Sequence, residues 1–445
     1  MPLFTQLPFL THSLSSSRCD AGSGSRSAAS PCRETYSEPK PTDEAPDGGI
    51  AAWSVVLGAW CVLFCSFGWI NSIGTFQSYY ETDMLKQYSA STIAWIPSLQ
   101  IFFMYAMGPI PGYVFDHYGP RHLLVIGSLL HVFGLMMASI STQYYQLLLS
   151  QGVVSAIGVS LIFQPANSVI PSWFDKKRGA AYGIMTSGSS IGGVVFPIMI
   201  QRLIPLVGFG WAMRAAAFLI LALLLVANLT IRSRLPPAPH NLGPDALVQP
   251  FKDVEMMLLT FGFLLLTFGI FIPINFLVVE AVAAGGVSPD LAQYLIAIFN
   301  AGSLFGRLGA GASADFFGPY NVFVAVCYLA GILILALWIP ASTTAAIIVF
   351  AVLFGFSSGA YVALAAPCVV RISPFQQIGY RVGLIFLFSS IAGLTTNPIA
   401  GAILAASNGS WLGVKVYAGV LVLAGTTLAL GARVHRTGPK FMAVF

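Results

Sequence analysis

A nine-residue pattern occurs twice in this chain at an offset of 199 residues, each time closing an apolar stretch: Gly112-x3-Asp116-x2-Gly119-Pro120 and Gly311-x3-Asp315-x2-Gly318-Pro319. A second pair keeps the same order at an offset of 200 residues. Gly179-x3-Gly183-x5-Ser189-Ser190-Ile191-x-Gly193 matches Gly379-x3-Gly383-x5-Ser389-Ser390-Ile391-x-Gly393. Two ordered echoes mean one half-sized unit used twice. A long repeat set in apolar sequence is the pattern of a two-halved membrane transporter.

The solvent of such a chain is lipid. Of its 445 residues 56% are hydrophobic and 8% charged, against about 25% charged in a soluble domain, and its mean hydropathy is +0.80. Twelve segments are long enough to cross about 30 Å of hydrocarbon: 53–76, 92–115, 120–140, 145–169, 179–201, 211–231, 255–280, 291–314, 320–340, 345–369, 378–405 and 411–433. In lipid their backbone groups must bond within the segment, so each is read as a helix. The expected fold is an all-α polytopic membrane protein, twelve transmembrane helices in two pseudo-symmetric six-helix bundles. Residues 1–46, rich in Ser, Pro and Gly, read as a disordered cytoplasmic tail. The bundles are expected at 47–231 and 255–434, with a proline-rich cytoplasmic linker at 232–254 and a cytoplasmic tail at 435–445.

Lys and Arg set the orientation. With the N-terminus inside, 16 fall on inner segments and 4 on outer loops (Lys86, Arg202, Arg214 and Lys415), while Arg307 lies within a helix. That bias predicts both termini in the cytoplasm, with the plasma membrane as the expected location. The net charge of +5 is spread over loops rather than gathered in a patch, which argues against nucleic acid. Cys61 and Cys65 lie one turn apart without a His or a second pair, so they read as packing residues rather than a metal site. No cofactor is called for. A Walker-type phosphate loop is lacking, so ATP is not the expected engine. Scattered amides and a lone His131 do not make an enzyme.

The segment Gly112 to Arg121 is read as a turn whose glycines permit close helix contact. Asp116 there is expected to accept from a helix N-terminus or to pair with Arg121. Gly112, Asp116, Gly119 and Arg121, with Gly311, Asp315 and Gly318, form the expected gate. The second copy has Tyr320 and Asn321 where a basic residue would stand, so the stronger charge network is expected in the first half. This loop resembles the signature of the major facilitator superfamily. Two further segments are similar to signatures of its monocarboxylate porter family, with fungal members looking closest: Asp47-Gly48-Gly49 before Trp53-Ser-Val-Val-Leu-Gly58-Ala59, and Trp173-Phe174-x-Lys176-Lys177-Arg178-x-x-Ala181-x-Gly183-x4-Gly188-x3-Gly192. The resemblance covers about residues 47 to 435. It implies alternating access to a central cavity lined by helices 1, 4, 7 and 10. It also exposes departures: Asn71 and Ser303 stand where proton-coupled members carry a Lys and an Asp.

Arg307 is the leading candidate for substrate binding. A charge at mid-bilayer depth costs about 2.5–3.5 kcal/mol on insertion scales, and the competing reading is a side chain that snorkels to the interface. Without an acidic residue one turn away it would take an anionic or carbonyl-bearing group. On the implied lining, Asn71, Gln164, Asn167, Asn275 and Tyr361 join it, each also readable as a helix–helix hydrogen bond. Glu280 is expected at the outer interface and His131 in packing. Pro165 and Pro367 fall at corresponding places of the two halves, which points to moving helices.

The expected function is secondary active or facilitative transport of a small organic solute, whether a carboxylate, a vitamin or a secondary metabolite. The partners are that solute and the bilayer, with H+ as a possible co-substrate. The alternatives are a proton-coupled monocarboxylate importer and a transporter-like nutrient sensor.

Overall fold

The structure, a computed structural model, describes residues 45–234, 244–283 and 287–438. Most of the expected N-terminal tail, the middle of the linker and most of the C-terminal tail lie outside the described residues. Among the described residues eleven helices are long and apolar enough to cross a membrane, and one of these, Arg178–Thr230, is two helices joined across a kink. At Gly208 its backbone turns to φ 79°, ψ 164°, which splits it into two spans. Twelve spanning helices result. They are α1 (Ile50–Gly68), α2 (Ser91–Tyr118), α3 (Arg121–Ile140), α4 (Tyr144–Ser172), α5 (178–207), α6 (209–230), α7 (Val254–Ala283), α8 (Pro289–Phe317), α9 (Pro319–Trp338), α10 (Thr344–Ile372), α11 (Ile378–Ala406) and α12 (Leu412–Thr437).

The duplicated turns explain themselves locally. Gly119 and Gly318 end α2 and α8 at φ 78° and 83°, a left-handed conformation that glycine adopts without a Cβ clash. Pro120 and Pro319 then stand at the start of the next helix, where a missing N–H leaves no bond unmade. Elsewhere Ser288 and Thr343 cap α8 and α10 by accepting from Leu291 N and Ala346 N. Pro165 lies inside α4 and Pro367 inside α10.

Buried apolar residues gather in two clusters, one within 52–231 plus Ala366 and the other within 256–432. Between these clusters α2 packs on α11 and α5 on α8. Among the described residues α1 and α7 share little packing with each other. The linker is not featureless, since Pro244–Lys252 is a helix immediately before α7.

Two expectations about charge are corrected. Glu280, near the end of α7, does not face water, and Lys415 lies in the first turn of α12 rather than in a loop. Both are buried, at 3% and 4% exposure. Lys415 Nζ meets Glu280 Oε1 at 2.7 Å and donates to the Trp338 carbonyl at 2.9 Å, while Trp338 Nε1 donates to Glu280 Oε2 at 3.2 Å. The pair ties α7, α9 and α12 together inside the second half, where apolar surroundings leave neither charge a cheaper partner. Arg381, counted among loop cations, is also buried.

Candidate functional site

The two copies of the turn motif reach across the molecule. Asp116, at the end of α2, accepts from the backbone N–H of Gly379 (2.9 Å) and of Tyr380 (2.8 Å) at the start of α11. Asp315, at the end of α8, accepts from Gly179 N (2.6 Å) and Ala180 N (2.9 Å) at the start of α5. Each carboxylate of one half thus caps a helix of the other, where four amides lack intrahelical partners and the helix dipole is positive. A hydrogen bond to a charged group contributes about 1.5–3 kcal/mol. All four contacts lie on the face where α1 begins and α12 ends, termed here the terminal face.

Glycines make that approach possible. A Cβ on Gly112 would strike the Gly379 carbonyl, and one on Gly383 the Gly108 carbonyl. In the pseudo-symmetric place, a Cβ on Gly179 would strike the Gly311 carbonyl. The terminal face is therefore closed by two backbone-to-backbone crossings, α2–α11 and α5–α8, each sealed by a carboxylate.

One turn deeper lies Arg307. It is 5% exposed, which settles the snorkelling alternative against the interface. Its Nη1 donates to the Thr186 carbonyl of α5 at 3.1 Å and its Nε to Ser303 Oγ at 3.1 Å. Among the described residues no carboxylate pairs with it. Tyr105 of α2 is within electrostatic reach of both Arg307 and Tyr361. Tyr105 also belongs to a closed set of four rings from α1, α2, α4 and α11. Phe67–Tyr105 centroids are 5.9 Å apart, and Tyr105–Phe386, Phe386–Phe163 and Phe163–Phe67 each 5.1 Å. Sequence reasoning missed this set, because no spacing links rings that come from four helices.

The remaining candidates disperse. Asn71 sits in a turn just past the end of α1, and its Nδ2 donates to Asn300 Oδ1 of α8 at 3.3 Å. Gln164 of α4 donates across the halves to the Gly379 carbonyl at 2.9 Å, so it belongs with the gate rather than with Arg307. Asn167 donates to Phe163 O in its own helix. Asn275 donates to Asn397 Oδ1 at 2.8 Å, and the Tyr361 hydroxyl meets Thr267 Oγ1 at 3.1 Å. His131 is buried between Ser155 Oγ (2.9 Å) and the Cys65 carbonyl (3.2 Å), a packing position.

Arg121 does not join Asp116. It is exposed at the start of α3, because the Gly119-Pro120 corner turns the chain away before it. The stronger charge network is not in the first half either, as Arg381 pairs with Asp253 at 2.6 Å beside the α11 crossing.

The sequence pattern of the Major Facilitator Superfamily matches residues 55–285 and 259–440. MFS transporter asaE of Aspergillus flavus is 54% identical over 95% of this chain and 96% of its own length. The fujikurins efflux protein of Gibberella fujikuroi is 52% identical over 91% and 88%. Among solved structures, the transporter FucP in its outward conformation superposes with a TM-score of 0.68 at 15% identity, covering 85% of this chain and 98% of that one. The twelve-helix architecture, the family pattern over most of the chain and relatives more than half identical lead to one conclusion: this chain belongs to the Major Facilitator Superfamily and is a transmembrane transporter of a small organic solute.

Proposed function

We propose that this chain exports an anionic or carbonyl-bearing secondary metabolite, with the terminal face toward the cytoplasm of the producing cell and the chain in its plasma membrane. The observation that carries the chemistry is Arg307, a buried guanidinium without a carboxylate partner among the described residues, one turn above a closed gate. A desolvated cation bonded only to neutral oxygens gains most from a ligand that brings negative charge. Export is supported by the names of similar proteins, among them the fujikurins efflux protein and the aspyridones efflux protein of Emericella nidulans. The orientation rests on the Lys and Arg bias.

The narrower likeness to monocarboxylate porters rests on Asp47-Gly48-Gly49 and on Trp173 to Gly192. Asn71 and Ser303 put neutral side chains where proton-coupled members carry a charged relay: Asn71 donates to Asn300, and Ser303 accepts from Arg307 and from Ser190. A metabolite made inside the cell is already concentrated there, so its own gradient drives it outward without a proton.

Metabolite profiling of medium and cell contents, with the gene deleted and overexpressed, tests the reading. A compound retained on deletion and enriched in the medium on overexpression is the expected result. Arg307→Gln should lower its release at least about tenfold, the equivalent of one lost charge-assisted bond. A compound left unused in the medium on deletion would instead make the chain an importer.

A further inference from the structure

The starts of α5 and α11 are each gripped twice. One grip comes from the opposite half, through Asp315 and Asp116. The other comes from the segment that leads into the first helix of the same half. Asp47, three residues before α1, directs Oδ1 at the backbone N–H of Asp175 (2.7 Å), Lys176 (2.7 Å) and Lys177 (3.2 Å), just ahead of α5. Its own N–H donates to the Trp173 carbonyl at 3.1 Å. Asp253, immediately before α7, takes the buried Arg381 of α11 at 2.6 Å. The rest of the linker helix follows it: Gln377 Nε2 donates to Gln249 Oε1 (3.3 Å), the Tyr380 hydroxyl donates to the Leu247 carbonyl (3.3 Å), and Arg381 Nε donates to Gln377 Oε1 (3.0 Å). The two anchors use different chemistry, backbone amides in one half and an ion pair in the other. Nothing in the duplicated motif encodes either.

We infer that Asp47 and the Asp253–Arg381 pair are positioning residues for the conformational cycle. They bind the latched helix ends to their own bundles, so that opening of the terminal face breaks the contacts between the halves, those of Asp116, Asp315 and Gln164, and leaves these anchors whole. A helix end held by carboxylates of both halves goes with whichever hold is stronger. With the anchor present, the end of α11 leaves Asp116 together with its bundle. With the anchor removed, Asp116 retains it while the second half moves away. The inference rests on gating at the terminal face, and the test keeps the two apart.

The test uses the full chain in lipid nanodiscs, with its six cysteines replaced and spin labels placed on exposed positions. The pair Tyr118→Cys with Gln376→Cys reads the α2–α11 latch, and Tyr118→Cys with Val434→Cys reads the separation of the bundles. Every sample carries Asp315→Ala, which releases one latch and populates the open state. If no long distance appears in either pair, the gating reading itself fails. With both anchors intact, the long-distance fractions of the two pairs should agree. With Arg381→Gln, or Asp253→Asn should that variant not assemble, the bundle pair should show at least about twice the long fraction of the latch pair. Adding Asp116→Ala should restore agreement, and Arg381→Lys should keep it throughout. A merely structural role for Arg381 would move both pairs together. Equal fractions in Arg381→Gln, or a mismatch that survives Asp116→Ala, would overturn the inference.

Discussion

Arg307 and the Glu280–Lys415 pair show how differently two buried charges can be used. Arg307 is bonded to a carbonyl and a hydroxyl, with its charge uncancelled. Lys415 is cancelled by Glu280 and further held by the Trp338 carbonyl. Removing one partner of a buried pair leaves the other charge stranded, at a cost of about 3–5 kcal/mol. Lys415→Met is therefore expected to lower the thermal unfolding temperature in detergent, and adding Glu280→Leu to recover most of the loss. Arg307→Met should leave that temperature unchanged or raised, because it removes an uncompensated charge, while release of the exported compound falls. Arg307 was legible from sequence, as a lone cation deep in an apolar run. The other pair was not. Its members lie 135 positions apart, near helix ends where single charges ordinarily face water, and only tertiary packing turns them inward.

At the scale of helices, the duplicated turn is both the most legible element and the one whose partner sequence could not name. Gly-x3-Asp-x2-Gly-Pro specifies a helix end, a carboxylate and a sharp corner. It does not say that the carboxylate caps a helix of the other half, because amides at a helix start carry no side-chain signature. The crossing glycines make this concrete. Gly112→Val would push a branched side chain against the Gly379 backbone, so the terminal face should close poorly and a bifunctional crosslink between Tyr118→Cys and Gln376→Cys should form several-fold less. Gly119→Ala is expected to act through strain at φ 78°, ψ −174°, costing about 1–3 kcal/mol with nothing in the way of its Cβ. The aromatic set of Phe67, Tyr105, Phe163 and Phe386 was illegible for a related reason. Aromatic residues are abundant in this chain, and which four of them meet is decided by the tilt and rotation of four separate helices.

For the whole molecule, the repeat and the apolar segments carried the architecture, since lipid leaves a backbone so few choices. The state of the molecule was not written there. The terminal face is shut by two crossings while α1 and α7 share little packing, and two such conformations typically differ by about a few kcal/mol. If the cargo's gradient drives export, a protonophore should leave the release rate in energised cells within about twofold. A proton-coupled cycle would collapse with the pH gradient.

On the proposed function, one interior site is exposed to the two faces in turn, under the control of Asp116 and Asp315. A single cysteine at the half-buried Asn275 of α7, in a chain otherwise without cysteine, tests it most directly. A membrane-impermeant maleimide would be applied to intact cells and to inverted vesicles. Ready labelling from the outer face and slow labelling from the terminal face are expected. In Asp116→Ala/Asp315→Ala the preference should reverse, with terminal-face labelling rising at least about tenfold. Labelling rates from the two faces that ignore those substitutions would contradict it.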